Sequence, residues 1–90
     1  MIDIAKIKID SKAQSRMKLC KAIIYEYAEA YKEGVKFPPV TLFYDGESYW
    51  LADGFHRYFG AKHAKIKQIH EDVTPGTLRD AILFSVGANA

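Results

Sequence analysis

Cysteine is almost absent from this chain, Cys20 being the only one, so no internal disulfide can staple the fold. An apolar run long enough to cross a bilayer and a leader-like start are also missing, which makes the cytoplasm the simplest expected address and a membrane partner unexpected. Charge of one sign is scarce as well. Thirteen basic against 11 acidic residues leave a formal net charge of +2, too little for a dominant non-specific grip on nucleic acid. There is no internal repeat and no low-complexity tract. What remains is 90 residues, 49% of them apolar and 13% aromatic, which suffices for one small packed core and leaves no room for a second. Residues 1–90 are accordingly read as a single domain.

Along the chain, Ile4 to Ile9 alternates small or apolar with polar residues and predicts a first strand with Ile7 and Ile9 on one face. Lys12 to Arg16 has no apolar anchor and reads as a polar loop, free to touch a ligand, or as the approach to a helix. From Met17 to Glu33, Cys20, Ile23, Ile24, Tyr27, Ala28 and Tyr31 recur at helical spacing, and Gly34 is the natural stop. Cys20 lies on that stripe, so a buried structural thiol is expected. Pro38 and Pro39 then force an extended approach to Val40–Tyr44, and Asp45-Gly46 is the pair favoured in a tight type I′ hairpin turn leading into Glu47–Ala52. A helix is expected after Gly54 and a strand over Ile66–Val73. A last helix begins near Leu78, with Thr77 and Asp80 forming an acidic capping box. That helix is apolar nearly all round, which predicts cover from the core, from a second chain or from a further segment.

The chemistry concentrates where the second hairpin strand, Tyr49-Trp50-Leu51-Ala52, runs through Asp53-Gly54 into Phe55-His56-Arg57. A glycine turn that opens a helix points backbone N–H groups outward, and His56 and Arg57 add donors beside them, a combination suited to a phosphate. Structural readings stand beside it: Gly54 as a turn residue, Asp53 as a cap, Arg57 as the partner of a nearby carboxylate. His56 and His63 would be about 10 Å apart along one helix, too far to share a metal ion, so no metal site is expected. No serine sits in a nucleophile-elbow pattern. Trp50, Tyr49, Phe55 and Phe59 could stack on a base, but in so small a domain they are expected in the core.

The order of features resembles the ParB/sulfiredoxin superfamily, in particular the ParB-like N-terminal domain also described as ParB-like nuclease. The resemblance rests on Ile9-Asp10, Gln14-Ser15-Arg16, Tyr27-Ala28-Glu29-Ala30, Gly34 and Phe37-Pro38-Pro39-Val40. It continues through Leu51 to Arg57 and ends at Gly76 to Ala81. It implies an α/β (α+β) fold, a small mixed β-sheet with a β-hairpin packed by about three helices. It also implies a phosphate cradle of Gly54, Phe55, His56 and Arg57, with Gln14 and Arg16 closing a nucleotide pocket. The implied cofactor is a nucleoside triphosphate, CTP or ATP, with or without Mg²⁺. The implied setting is DNA segregation in plasmid or phage biology, with DNA reached through a missing or separate domain and homodimers formed through the apolar helix 78–86. Where sulfiredoxins carry a catalytic cysteine before His-Arg, this chain has Phe55, so that activity is not expected. The family's switching members carry Glu-Arg-Arg where this chain has Phe-His-Arg. Two alternatives remain open: a nuclease, phosphotransferase or NTPase that would use Asp53, and an interaction domain with a vestigial site.

Overall fold

The computed structural model describes residues 1–11 and 18–88. Two strands open the chain, β1 (Ile2–Asp3) and β2 (Ile7–Lys8), separated by a 3₁₀ turn over Ile4–Lys6. The single strand expected over residues 4–9 is thus broken. The turn is what lets Ile2, Ile4 and Ile7, whose spacing suits no one strand face, all be buried. Helix α1 spans Lys21–Lys32. Its start is later than the expected Met17, with Cys20 extended at the N-cap, and this overturns the buried-thiol reading: Cys20 is exposed. The inward face is carried by Ile24, Tyr27, Ala28 and Tyr31 instead. Gly34, at φ +84°, ends the helix as expected; Gly34 N–H donates to the Tyr31 carbonyl and Val35 N–H to that of Ala30.

Strands β3 (Val40–Tyr44) and β4 (Tyr49–Asp53) form the expected antiparallel hairpin. Its loop is longer than a two-residue type I′ turn, because Tyr44 pairs with Tyr49 and residues 45–48 lie outside the ladder. Asp45 organises that loop. Its Oδ1 accepts from Ser48 N–H at 2.7 Å and Glu47 N–H at 2.9 Å, and its Oδ2 accepts from the Trp50 indole at 2.9 Å. At the other end of the hairpin the register shifts, with Thr41 opposite Asp53 but Leu42 opposite Leu51. Ala52 is the extra residue of this bulge, and the adjacent Leu51 and Ala52 are consequently both buried.

Helix α2 (Phe55–His63) follows directly, and it closes on Lys65 at φ +61°, a left-handed position that here lacks glycine. The strand expected over residues 66–73 is two strands, β5 (Gln68–Ile69) and β6 (Glu71–Pro75). They part at His70 because β5 pairs antiparallel with β1 while β6 runs parallel to β3. The main sheet has the order β2-β4-β3-β6, with both outer strands parallel to their inner neighbours. Helix α3 (Leu78–Ala88) closes the described chain. Thr77 and Asp80 form the expected capping box, Thr77 N–H to Asp80 Oδ2 at 2.8 Å and Asp80 N–H to Thr77 Oγ1 at 3.2 Å.

Among the described residues, three helices and small mixed sheets make the α+β architecture that the resemblance implies. Val40, Leu42, Leu51, Phe55, Tyr58 and Ala61 join the N-terminal isoleucines in one core between the sheet and α2. Phe43, which alternates away from that core, meets Phe84 of α3 on the opposite face at 5.6 Å. Helices α1 and α2 approach closely at Gly60, where a Cβ would stand 2.5 Å from that of Tyr27 and 3.2 Å from the Ala28 nitrogen. That glycine sets the distance between them.

The loop makes hairpin stability acid-sensitive. The Ser48 N–H first, then the Trp50 indole and the Glu47 N–H, lower the Asp45 pKa from 3.8 to about 2. A lowered folded-state pKa stabilises fully above the unfolded value and is lost as pH falls through the folded one. Trp50 fluorescence in denaturant series should therefore show the hairpin weakening between pH 3.8 and about 2. In Asp45→Ala that decline should be smaller; an identical decline in both proteins would refute the assignment.

Candidate functional site

Gly54 stands at φ +91°, ψ 32°, the left-handed region that glycine adopts freely. Space demands glycine too: a Cβ here would lie 2.7 Å from Val40 Cγ1 and 3.1 Å from Arg57 Nη2. This single residue turns the chain from β4 into α2 and seats the helix start against β3. The first helical bond runs from Tyr58 N–H to the Gly54 carbonyl at 2.8 Å, so the N–H groups of Phe55, His56 and Arg57 have no partner within the helix. Among the described residues, no side chain caps them. Asp53 in particular is not the cap. The start of α2 thus carries the partial positive charge of its dipole, roughly half an elementary charge, together with three backbone donors that the helix itself does not use.

Each predicted residue has a definite place. The Phe55 side chain is only 2% exposed and belongs to the core, so it offers the turn a backbone N–H alone. His56 Nε2 accepts a hydrogen bond from the Cys20 backbone N–H at 3.1 Å, which requires that nitrogen to be unprotonated and ties the start of α1 to the start of α2. Arg57 is engaged. Its Nη1 donates to the carbonyls of Pro38, at 2.6 Å, and Pro39, at 3.2 Å, and its Nη2 lies 3.7 Å from Asp53 Oδ2. With a side chain 16% exposed, the guanidinium works first as a clamp between the approach to β3 and the first turn of α2. Gln14 and Arg16 lie outside the described residues.

The turn therefore gathers Asp53, Gly54, His56, Arg57 and the Phe55 backbone. His63, at the far end of α2, packs tilted at 45° against Tyr25, with ring centroids 4.9 Å apart. Among the described residues, no group of three or more histidine, cysteine, aspartate or glutamate side chains is placed to hold a metal ion. Of the aromatics, Phe59 packs against the core and Tyr49 stacks on Tyr44 at 4.5 Å, while Trp50 is half-buried and bonded to Asp45. What the arrangement can do chemically is hold an anion on backbone N–H groups beside a histidine and an arginine.

Sequence reasoning missed two contacts. One is His56 to Cys20, between residues far apart in sequence with no local signal. The other had a trace. Two successive prolines leave carbonyls without neighbouring N–H donors, and a buried cation within reach is one way to answer them.

Among solved structures, sulfiredoxin from Arabidopsis thaliana is similar at a TM-score of 0.77 with 14% identity, over 92% of this chain and 91% of that one. The C-terminally truncated chromosome-partitioning protein ParB from Caulobacter crescentus, complexed with CTP-γ-S, is similar at 0.74 with 14% identity, over 98% of this chain and 50% of that one. The same protein complexed to the centromeric parS site matches at 0.74 with 13% identity, over 97% of this chain and 44% of that one. No family model and no curated protein matches the sequence. At such identities the likeness is one of fold: the chain has a ParB/sulfiredoxin-like fold, and it spans about half the length of the partition protein's chain.

The Arg57 clamp carries a measurable share of stability. Arg57→Ala should lower the unfolding free energy by about 2–3 kcal/mol in urea denaturation, the range for charged hydrogen bonds to partly buried acceptors. Arg57→Lys should recover less than half of the loss, because an ammonium lacks the planar fork. A change under about 0.5 kcal/mol in Arg57→Ala would show that the contacts are incidental.

Proposed function

We propose that this ParB/sulfiredoxin-like chain is a nucleotide-phosphate-binding domain of the ParB-like kind. The observation that carries the reading is the start of α2 at Gly54, which no described side chain caps, with the N–H groups of residues 55–57 unused by the helix beside the His56 and Arg57 side chains. Support comes also from a neighbour in fold being a partition protein in complex with CTP-γ-S. In this reading the N–H groups of Phe55, His56 and Arg57 hold phosphate oxygens of CTP or ATP, with Mg²⁺ as a companion ion. Gln14 and Arg16 close the pocket. Arg57 lends its charge while remaining on the proline carbonyls, so its long-range field rather than a free guanidinium fork stabilises the anion. Work on plasmid or phage DNA in the cytoplasm would then pass through a DNA-reading domain outside this chain.

Calorimetric titration with CTP, ATP and GTP in the presence of Mg²⁺ tests the reading. One nucleotide should bind with a dissociation constant below about 1 mM, equivalent to about −4 kcal/mol or better. His56→Glu, which sets a like charge on the turn, and Arg16→Ala should each weaken it at least about tenfold, or about 1.4 kcal/mol, with the circular-dichroism melt showing both variants folded. No heat with any nucleotide, or unchanged affinity in both folded variants, would refute it.

A second role rests on a separate observation. Leu83 and Val86 of α3 are 60% and 52% exposed, and Phe84 is exposed beside them, although Ala81 and Ser85 are buried. The sheet covers one side of this helix and leaves the other apolar. Its only charges, Arg79 and Asp80, lie in the first turn, so two copies of the face would meet without like-charge repulsion. We assign the face to a homodimer contact. Light scattering should show a dimer that Leu83→Glu converts to a monomer; a monomer at every concentration tested would remove this role.

A further inference from the structure

Where α1 ends at Gly34 the chain does not lie flat on β5. The extended segment through Pro38 stands off from it, and the space between is a cavity of about 400 Å³. That is within the range of sites for small organic ligands, which are mostly apolar with a few placed polar groups. Phe37, Pro38, Ile66 and Ile69 supply apolar wall. The wall is preformed. Phe37 is held edge-on by Tyr27 at 4.8 Å and Tyr31 at 4.9 Å, and Ile69 is buried in register with Ile2 in the β1–β5 pair.

The polar groups have a direction. Lys36, His70, Gln68 and Tyr31 line the cavity, and no aspartate or glutamate lines it among the described residues. Gln68 donates one amide N–H to Asp3 Oδ1 at 3.0 Å, which leaves its second N–H and its carbonyl oxygen. The Met1 ammonium at the rim is answered by Glu71 at 3.5 Å. No described residue pairs with the Lys36 side chain, so its charge is available to a ligand. Burial raises the Tyr31 pKa, with the Arg57 charge opposing, so the phenol stays a neutral donor.

We propose that this cavity binds a small apolar carboxylate, its hydrocarbon end against Phe37 and Ile69 and its carboxylate on Lys36 and His70. One lysine and one imidazole suit a monoanion. A lysine alone can meet a phosphate as a point charge, but the bidentate guanidinium fork and the helix N-terminus that favour one do not line this cavity, and its walls are mostly apolar. The site is separate from the Gly54 turn and stands or falls independently of the nucleotide reading.

A ¹H–¹⁵N NMR titration with 3-phenylpropanoate, and in parallel with its neutral amide 3-phenylpropanamide, tests the proposal. The carboxylate should give saturable shifts at the amides of residues 31–37 and 66–70, and should bind at least about fivefold tighter than the amide, or about 1 kcal/mol. Lys36 is exposed, so Lys36→Ala should fold and should abolish that preference. Equal affinities for acid and amide, a preference that survives Lys36→Ala, shifts centred on Leu83 and Phe84 instead, or no saturation by about 10 mM would each overturn it.

Discussion

The contact on which the rest of this structure leans is the Arg57 guanidinium held by two proline carbonyls. Pro38 and Pro39 deliver the chain to β3 in extended form but bring no N–H groups of their own, so the segment can offer a neighbour only its carbonyls. Arg57 ties it down from the far side of the hairpin, at 2.6 and 3.2 Å. The arginine is placed to do this only because the left-handed Gly54 turn starts α2 directly after β4, against Val40. Strand approach, hairpin and helix start are thereby one mechanical unit, and the anion-friendly N–H groups sit on its rigid part.

That placement changes what the turn means chemically. An arginine reaching freely into solvent would be a phosphate fork. This one already has its short hydrogen bonds and a carboxylate at 3.7 Å, so a bound anion meets its field before its hydrogens. In the proposed reading the backbone N–H groups of residues 55–57 would be the direct donors, with His56, itself turned toward Cys20, beside them. Asp53, 3.7 Å from the clamp, is held by charge rather than left beside a reacting group.

Much of the fold was legible in the sequence because its signals are local. The hairpin follows from β-branched and aromatic runs around Asp45-Gly46, the end of α1 from Gly34, the start of α3 from Thr77 and Asp80, and the strand-to-helix turn from Asp53-Gly54. What was not legible depends on tertiary partners. Ile4–Lys6 alternates well enough for a strand, yet burying Ile2, Ile4 and Ile7 together needs a 3₁₀ turn. Residues 66–73 carry one strand pattern and serve two sheets, since β1 and β3 claim different halves. Cys20 fits the helical stripe, but the helix starts one residue after it. At the site, residue types showed where an anion would be welcome, whereas the prior engagement of Arg57 depends on two carbonyls 18 and 19 positions away.

The strand order has a consequence for how the chain becomes this structure. Among the described strands only the β3–β4 pairing joins neighbours in sequence, and a hairpin of that kind closes in roughly microseconds. Both outer strands arrive from a distance, Ile7 onto Tyr49 from one side of the chain and Glu71 onto Val40 from the other. Each can dock only after its intervening helix has found its place, so the hairpin is the template and the two parallel edges are the slow additions. During that interval Leu42 and Leu51, fully covered in the finished core, face water from a strand pair with two open edges. The molecule's exposure to misassembly is concentrated in that short-lived ribbon.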